Sequence, residues 1–355
     1  MNLKGLVINT CLAAVLSCPA YVHAGPPTAF NLQDKALWEQ YKSTFIQADG
    51  RVIDKWQQNI SHSEGQGYGM LISVLNDDLA AFKSIWQWTK NNLQSRKDGL
   101  FAWAWGKRLD EQWGIVDYNN ASDGDTLIAY ALLQASAKWS DSSYRIEAIP
   151  IIESIRKYLQ VKKDHRIFIL PAYYGFQKED ATVLNPSYVI LPAYRTFSEF
   201  DDKPFWSRVY EDGLYLIEKS SFGKFKLPAD WVTWNKDGIS ICEEKSSLFG
   251  YEAIRTLLYL SWEKKPGFPD GVAELFKIYD KLGYVPLFVD LSRNTISLDD
   301  APAGFYAVYA RVAEKRGLDA LSRRLFAEAR KKAAAEKDNY YSMSLLLLSI
   351  PNSKQ

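Results

Sequence analysis

The sequence predicts an all-α protein of about twelve helices, closed into a ring with an inner and an outer helical layer and short strands in its longer loops. Three observations predict it. Apolar residues recur at three- and four-residue spacing through most of the chain, the mark of amphipathic helices. Several helical segments are separated by only a few residues, as at Asn76-Asp77-Asp78 and Ser140-Asp141-Ser142, which makes them antiparallel neighbours. An open solenoid would satisfy both facts but should repeat its sequence at a fixed period, and no such period is present.

Residues 1–24 stand apart from this pattern. They begin with a basic residue at Lys4, continue through an apolar stretch and end on Val22-His23-Ala24, the layout of a secretory signal peptide. The apolar stretch is interrupted by Asn9, Thr10 and Pro19, and no later segment reaches the roughly 18 to 20 apolar residues that a membrane span needs. Cys18 follows Val-Leu-Ser, a poor match to a lipid-attachment site. A periplasmic or secreted protein is expected, with Cys242 as its one remaining cysteine and hence no internal disulfide. No Gly/Ser- or Pro-rich linker divides residues 25–355, so they are read as a single domain.

Along that domain the periodicity predicts helices over 34–48, 63–76, 78–95, 123–140, 142–161, 185–200, 204–219, 246–263, 268–283, 301–316, 318–336 and 338–350. Ser63, Asp123, Asn185, Ser246 and Asp300 stand where N-caps are expected. The longer connections are 98–121, 162–184, 221–245 and 284–300, and RIFILPAYYGF and YVPLFVDL within them have the composition of short strands. Long connections in a compact domain commonly build a site.

Composition narrows the partner. Lys plus Arg total 43 against 42 Asp plus Glu, with no basic block, which argues against nucleic acid and an anionic membrane surface and favours a neutral ligand. The chain carries 12 Trp and 21 Tyr, side chains with a flat apolar body and a polar edge that suit either stacked sugar rings or a tyrosine-rich helical core.

Three acids draw attention. Glu64 lies in SHSEGQGYGM at a predicted helix start, where the free N–H groups stabilise an acid by under about 1 kcal/mol. Helix-end chemistry explains Glu64 but not Gly65, Gly67 and Gly69, each costing up to about 1 kcal/mol relative to Ala inside a helix. Either a ligand or a tightly packed helix must approach that backbone. Asp123 and Asp125 open a second helix in NNASDGDTLIAYALL; helix capping is the simpler account, and the spaced ligands of a calcium loop are missing. Glu252 falls within SSLFGYEAIRTLLYL, with Arg255 three residues on as a partner at helical spacing.

Aromatics surround these acids in sequence: Trp103 and Trp105 in FAWAWG, where alternation would put both on one face, Tyr188 in LNPSY, and Trp231 and Trp234 in PADWVTW. Flat rings suit pyranose faces, and a pair of carboxyls suits cleavage of a glycosidic bond. The histidines and the lone Cys242 form no metal-binding pattern, and no phosphate loop or serine elbow is present, so neither a metal nor a cofactor is expected.

The ordered motifs SEGQGYGM, AWAWG, NNASDGD, NPSY, DWV and GYEAIR, spread over about residues 38 to 350, resemble glycoside hydrolase family 8, and within it the periplasmic endoglucanases that accompany bacterial cellulose synthase. The resemblance implies an (α/α)6 barrel, in agreement with the ring reached from helix pairing. It also implies inverting hydrolysis of a β-1,4-glucan, cellulose or cello-oligosaccharides, with the cellulose export machinery as a further partner. On this resemblance Glu64 falls on the proton donor and Asp123 on the acid that holds the sugar at the cleavage subsite, a position also described as a nucleophile. Tyr188 and Arg255 fall on polar groups near that sugar, and Trp103 and Trp105 on the aromatic platform. Trp231, in the aromatic loop PADWVTW, is a further candidate substrate contact.

One departure concerns the base. The family's cellulases usually carry Asp where this chain has Glu252, and one methylene shifts a carboxylate by on the order of 1.5 Å in a pair that stands about 6.5 to 9.5 Å apart to admit water. Asp230 and Glu243 are the alternatives in the neighbouring loop. Tyr68, one turn after Glu64, is expected to bond the acid or line the cleft, and the glycines to let the glucan pass close by. Hydrolysis of chitosan, xylan or mixed-linkage glucan, or glucan binding without turnover, are the competing functions.

Overall fold

Helices that are apolar on every side have to be enclosed by other helices, whereas amphipathic ones can face water. Both kinds occur in alternation in the computed structural model, which describes residues 32–350; the expected leader, residues 1–24, lies outside them. Twelve α-helices are found among the described residues: α1 (Leu32–Phe45), α2 (Ser63–Leu75), α3 (Leu79–Leu93), α4 (Ser122–Trp139), α5 (Ser142–Tyr158), α6 (Leu191–Phe197), α7 (Lys203–Lys219), α8 (Ile254–Ser261), α9 (Val272–Leu282), α10 (Ala303–Lys315), α11 (Asp319–Ala335) and α12 (Tyr340–Ser349). Every residue of α8 is buried, and nearly every residue of α2, α10 and α12.

The even-numbered helices close on themselves. α2 packs on α4, α4 on α6, α6 on α8, α8 on α10, α10 on α12, and α12 returns to α2. Outside them α3 packs on α2, α5 on α4, α7 on α6, α11 on α10 and α1 on α12, while α9 meets α10 through the ring pairs Phe276–Tyr309 and Tyr279–Tyr306. This is the (α/α)6 barrel expected from the pairing. The seam between the first and last helices is held by Tyr41, whose hydroxyl lies 3.0 Å from Ser344 Oγ.

Helix starts differ around the ring: inner α12 is capped by Asn339, which accepts from Ser342 N, and outer α9 and α11 have no side-chain cap. Outer helices α3, α5 and α7 are capped by Asp78, Asp141 and Asp202, which accept from Ala81, Ser143 and Phe205 backbone N–H groups. Inner helices α2, α4, α6, α8 and α10 have no side-chain cap. Ser63 and Asp123 are therefore not caps but residues inside the first turns of α2 and α4. Ser246 lies in a loop ahead of α8, and Asp300 accepts from Tyr306 Oη and Lys332 Nζ. Uncapped N–H groups at one end of a ring leave a zone of partial positive charge, the setting in which carboxylates gather.

Three predicted helices start later than their periodicity suggests, the one expected from 268 at Val272 and two others by more. The segment from 185 first makes a single 3-10 turn over Pro186–Tyr188, capped by Asn185, and α6 starts only at Leu191, with Pro192 in the first turn that tolerates it. Residues 246–253 precede α8 instead of belonging to it: Leu248–Phe249 pairs with Val289–Asp290 as a short strand, so Glu252 sits in a turn. Of the expected strands, Arg166–Ile169 pairs with Gln160–Lys163, and Val289–Asp290 also pairs with Thr295–Ile296. A sheet of Ser61–His62, Ala104–Lys107 and Trp113–Asp117 lies ahead of α2 and α4. No helix among the described residues is long and apolar enough to cross a membrane.

Candidate active site

An open groove lies across the end of the barrel where the inner helices begin. Its walls include Ser63 and Glu64 of α2, Ala121 and Asp123 at α4, Tyr188 ahead of α6, Glu252 and Arg255 at α8, and Asn339, Tyr340 and Tyr341 at α12. The approach of α2 to α4 depends on glycine. A Cβ on Gly124 would stand 2.2 Å from Ser63 Oγ and 2.8 Å from Glu64 N, so only glycine lets the two helix starts touch and brings Glu64 beside Asp123. The glycines after Glu64 serve the same purpose: a Cβ on Gly67 would meet Leu127 Cβ of α4 at 2.7 Å, and one on Gly65 the Tyr340 ring at 3.2 Å. Neighbouring helices, not a glucan, require them.

Arg255 organises the site from the first turn of α8. Nη1 donates to Glu64 Oε2 at 2.5 Å and to Asp123 Oδ2 at 3.1 Å; Nη2 donates to Glu252 Oε2 and to Ser187 Oγ at 3.1 Å. The guanidinium also faces the Tyr188 ring at 5.4 Å. Glu252 accepts a further bond from Asn185 Nδ2 at 2.8 Å, and Asp123 Oδ1 accepts from Gly124 N at 2.8 Å. Glu64 Oε1 is buried with no partner. Three carboxylates thus share one cation. Burial pushes the Asp123 carboxyl well above its usual range; Arg255 opposes this, while Glu64 and Glu252 add to it. Exposure of the side chains is graded, from 1 % at Asp123 to 18 % at Glu64 and 34 % at Glu252.

The two alternative acids lie elsewhere. Asp230 is buried under the turn that carries Glu252, accepting from Gly250 N at 3.0 Å, Ala253 N at 2.8 Å and Ser246 Oγ at 2.9 Å. Burial raises its carboxyl to about 6 against these bonds. Glu243 is exposed and paired with the Ser292 hydroxyl. Asp125 points away from the groove to Phe101 N at 2.9 Å and Asn120 Nδ2 at 2.7 Å, anchoring the segment that leads to Trp103.

The aromatic expectations divide. Trp103 lines the groove, its indole N–H bonded to Asp117 Oδ2 at 2.8 Å. Trp105 does not: pairing slips between Ala104 and Trp105, and the Trp105 ring stacks on Trp113 and packs edge-on against Trp88, with the Arg51 guanidinium 4.7 Å away. Trp231 lies behind Tyr188, stacked on Phe176. Tyr68 neither bonds Glu64 nor lines the groove; it is fully buried with its hydroxyl 3.0 Å from that of Tyr259, because the next turn of α2 faces the barrel interior. The groove also contains Asp54, Trp56, Gln57, His62, Tyr251, Asn339, Tyr340 and Tyr341, which sequence reasoning did not single out. His62 stands two residues before Glu64 in the same quoted stretch, and Asn185 and Ser187 lie in NPSY; the Asn339-Tyr340-Tyr341 run carries no signal without the ring closure that brings α12 to α2.

Residues 11–354 match the family model described as "Glycosyl hydrolases family 8". The chain belongs to this family. This family 8 hydrolase is 42% identical to an endoglucanase of Cellulomonas uda over 87% of the present chain and 82% of that protein. It is 34% identical to a probable endoglucanase of Novacetimonas hansenii over 88% of each. Its fold superposes on the endoglucanase Cel10 of Klebsiella pneumoniae, a family 8 glycosyl hydrolase, with a TM-score of 0.78 and 36% identity, covering 88% of this chain and 97% of that one.

Proposed function

We propose that this family 8 hydrolase is a periplasmic or secreted endo-β-1,4-glucanase that cleaves cellulose-like chains with inversion, in the service of bacterial cellulose production. The observation that carries the catalytic part is the single guanidinium of Arg255 joining Glu64, Asp123 and Glu252 across an open, aromatic-walled groove. Inversion requires a donor and a base on opposite sides of the scissile bond with space for a water; in this reading Glu64 and Glu252, which line the same groove from different elements, take those two parts. The substrate part rests on the glucanase relatives and on Trp103 as a flat wall for a pyranose ring.

In this mechanism Glu64 protonates the departing glycosidic oxygen through Oε1, the oxygen that Arg255 leaves free. Asp123 is the buried member of the three: burial pushes its carboxyl well above the usual range, Arg255 opposes this, and Glu64 and Glu252 add to it. Glu252 is the base: its carboxylate is the most open of the three, accessible to water, and Asn185 with Arg255 fixes its orientation. Asp123, sealed and hydrogen-bonded, positions the sugar at the cleavage point and does not attack it. The anomeric carbon is then attacked by water on the face opposite the leaving group.

Proton NMR of the first products from cellohexaose tests this: α-configured new reducing ends are expected, and β-configured ends would refute inversion. Reducing-end release from carboxymethylcellulose, chitosan and xylan in parallel tests the substrate, and preference for either of the last two would overturn the glucan assignment. Secretion is checked by cell fractionation, where full-length protein retained in the cytoplasm would contradict it.

A further inference from the structure

The segment ahead of Glu64 contains a feature that the reaction does not use. Residues 54–60 form a tight knuckle. Asp54 Oδ1 accepts from Trp56 N at 2.9 Å and Gln57 N at 3.3 Å, Lys55–Gln57 makes one 3-10 turn, and Asp54 N reaches Ile60 O at 2.8 Å. To close it, Gln58 and Asn59 both adopt left-handed backbone, at φ 55° and 59°. Two successive left-handed residues without glycine are uncommon and costly, and such strain persists where the surroundings enforce it. Lys55 secures the knuckle to the far wall through Asp338 at 2.8 Å.

This knuckle holds Trp56 out. At 64 % exposure it is the most exposed of the twelve tryptophans, all of which lie among the described residues. It is also the only one whose ring meets no other aromatic ring and no cation: Trp103 faces His62, Trp113 stacks on Trp105, and the others are likewise paired. Yet Trp56 lines the same groove as Glu64 and Glu252. Two polar groups lining the same groove have spare capacity. Asp54 is only 7% exposed, and its Oδ2 has no hydrogen-bond partner. His62, 5.7 Å from the Trp103 ring, has its Nε2 buried and unpartnered. A free indole face in the same groove as an unpartnered carboxylate oxygen and an unpartnered imidazole nitrogen is the chemistry that recognises a pyranose, apolar on its face and hydroxylated on its rim.

We propose that Trp56, Asp54 and His62 form an additional glycosyl-binding subsite at the Glu64 side of the groove, in which a sugar unit stacks on Trp56 and its hydroxyls bond Asp54 and His62. The inference rests on the glucanase reading for the identity of the sugar, but the stacking geometry suits any β-1,4-linked pyranose. The subsite engages only chains long enough to extend past the cleavage point. Its effect therefore grows with chain length.

Calorimetric titration at low temperature tests it, in the Glu64→Gln background so that ligands survive, with cellotriose, cellohexaose, xylohexaose and a chitosan hexamer. Adding Trp56→Ala is expected to weaken cellohexaose by about tenfold, one well-packed aromatic anchor's contribution, and cellotriose much less. Trp56→Phe should recover most of the loss, and the melting temperature should not change, since the ring packs on no other. Equal loss on trimer and hexamer, or none, overturns the subsite. Binding of only the xylan or chitosan hexamer would instead refute the glucan reading, and the Trp56 comparison is then made on that hexamer with the same two outcomes.

Discussion

The two walls that carry the proposed acid and base are built on opposite principles. Glu64 stands in the first turn of α2, locked against α4 and α12 through glycine contacts with no slack. Glu252 stands in an irregular turn outside α8, held by hydrogen bonds from below and by Arg255 and Asn185 at the side. A proton donor must meet a glycosidic oxygen at one fixed place, so a packed helix start suits it. A base acts on a mobile water, and a turn suspended on hydrogen bonds can absorb an altered side-chain length. This contrast gives a physical account of why Glu is acceptable at 252.

The comparison is broken most severely at the rigid wall. Glu64→Gln keeps shape and removes the proton, so kcat should fall by about 10² to 10⁴ while the affinity for cellohexaose is retained; steady-state kinetics with calorimetry checks both, and near wild-type kcat would remove Glu64 from the mechanism. Gly124→Ala forces α2 and α4 apart at the Ser63 contact. A loss of about 1 to 3 kcal/mol in stability is expected from overpacking, together with a kcat decrease larger than any single turn-side change that spares a carboxylate, read by denaturant titration and kinetics.

The turn side should yield more gently. Glu252→Asp is expected to retain activity within about tenfold to a hundredfold, whereas Glu252→Ala should lose as much as Glu64→Gln does; equal loss in both variants would show that the turn has no give. Asp230→Asn keeps one acceptor for the Gly250 and Ala253 N–H groups, and kcat should fall by about tenfold or less with KM little changed. It also carries a pH signature. The fold raises the Asp230 carboxyl from 3.8 to about 6, so the folded state binds this proton more tightly than the unfolded one. Its contribution to stability is complete below pH 3.8 and is lost as pH rises through about 6. Melting temperatures across that window should show a smaller decline in Asp230→Asn than in the parent.

The same contrast explains what could be read before the structure. Helices and their pairing were legible because the three- to four-residue period survives in every layer, and Glu64, Asp123 and Arg255 were legible because they sit on or beside helix starts in compact motifs. An acid or serine at an inner helix start has the composition of a cap, but Asp123 faces Arg255 and Ser63 is pressed against Gly124 with its hydroxyl unpartnered. Glu252 was placed in a helix because Leu248, Phe249 and Ala253 keep an apolar rhythm that actually serves a strand pair and a turn. Alternation puts Trp105 on the same face as Trp103 only in a regular strand, and the slip after Ala104 is invisible in one sequence; for Trp231 no pattern in PADWVTW shows that its ring packs on Phe176. Asp54 and Tyr340 needed tertiary closure to be seen at all.

Tyr68 gives the smallest effect and separates packing from chemistry on the rigid wall. It lies on α2 one turn beyond Glu64, and its hydroxyl has one partner, Tyr259, inside the barrel. Burial pushes its phenol well above the ordinary value, with Glu64 adding to the shift, and its hydroxyl bonds Tyr259 and not Glu64. Tyr68→Phe therefore removes one buried hydrogen bond and leaves the Tyr259 hydroxyl without its mate. A stability loss of about 1 kcal/mol is expected, within the range for a buried neutral pair, with kcat and its pH profile unchanged. A shifted acidic limb in that profile would mean that α2 transmits the loss to Glu64, and that the wall is less rigid than its glycine contacts imply.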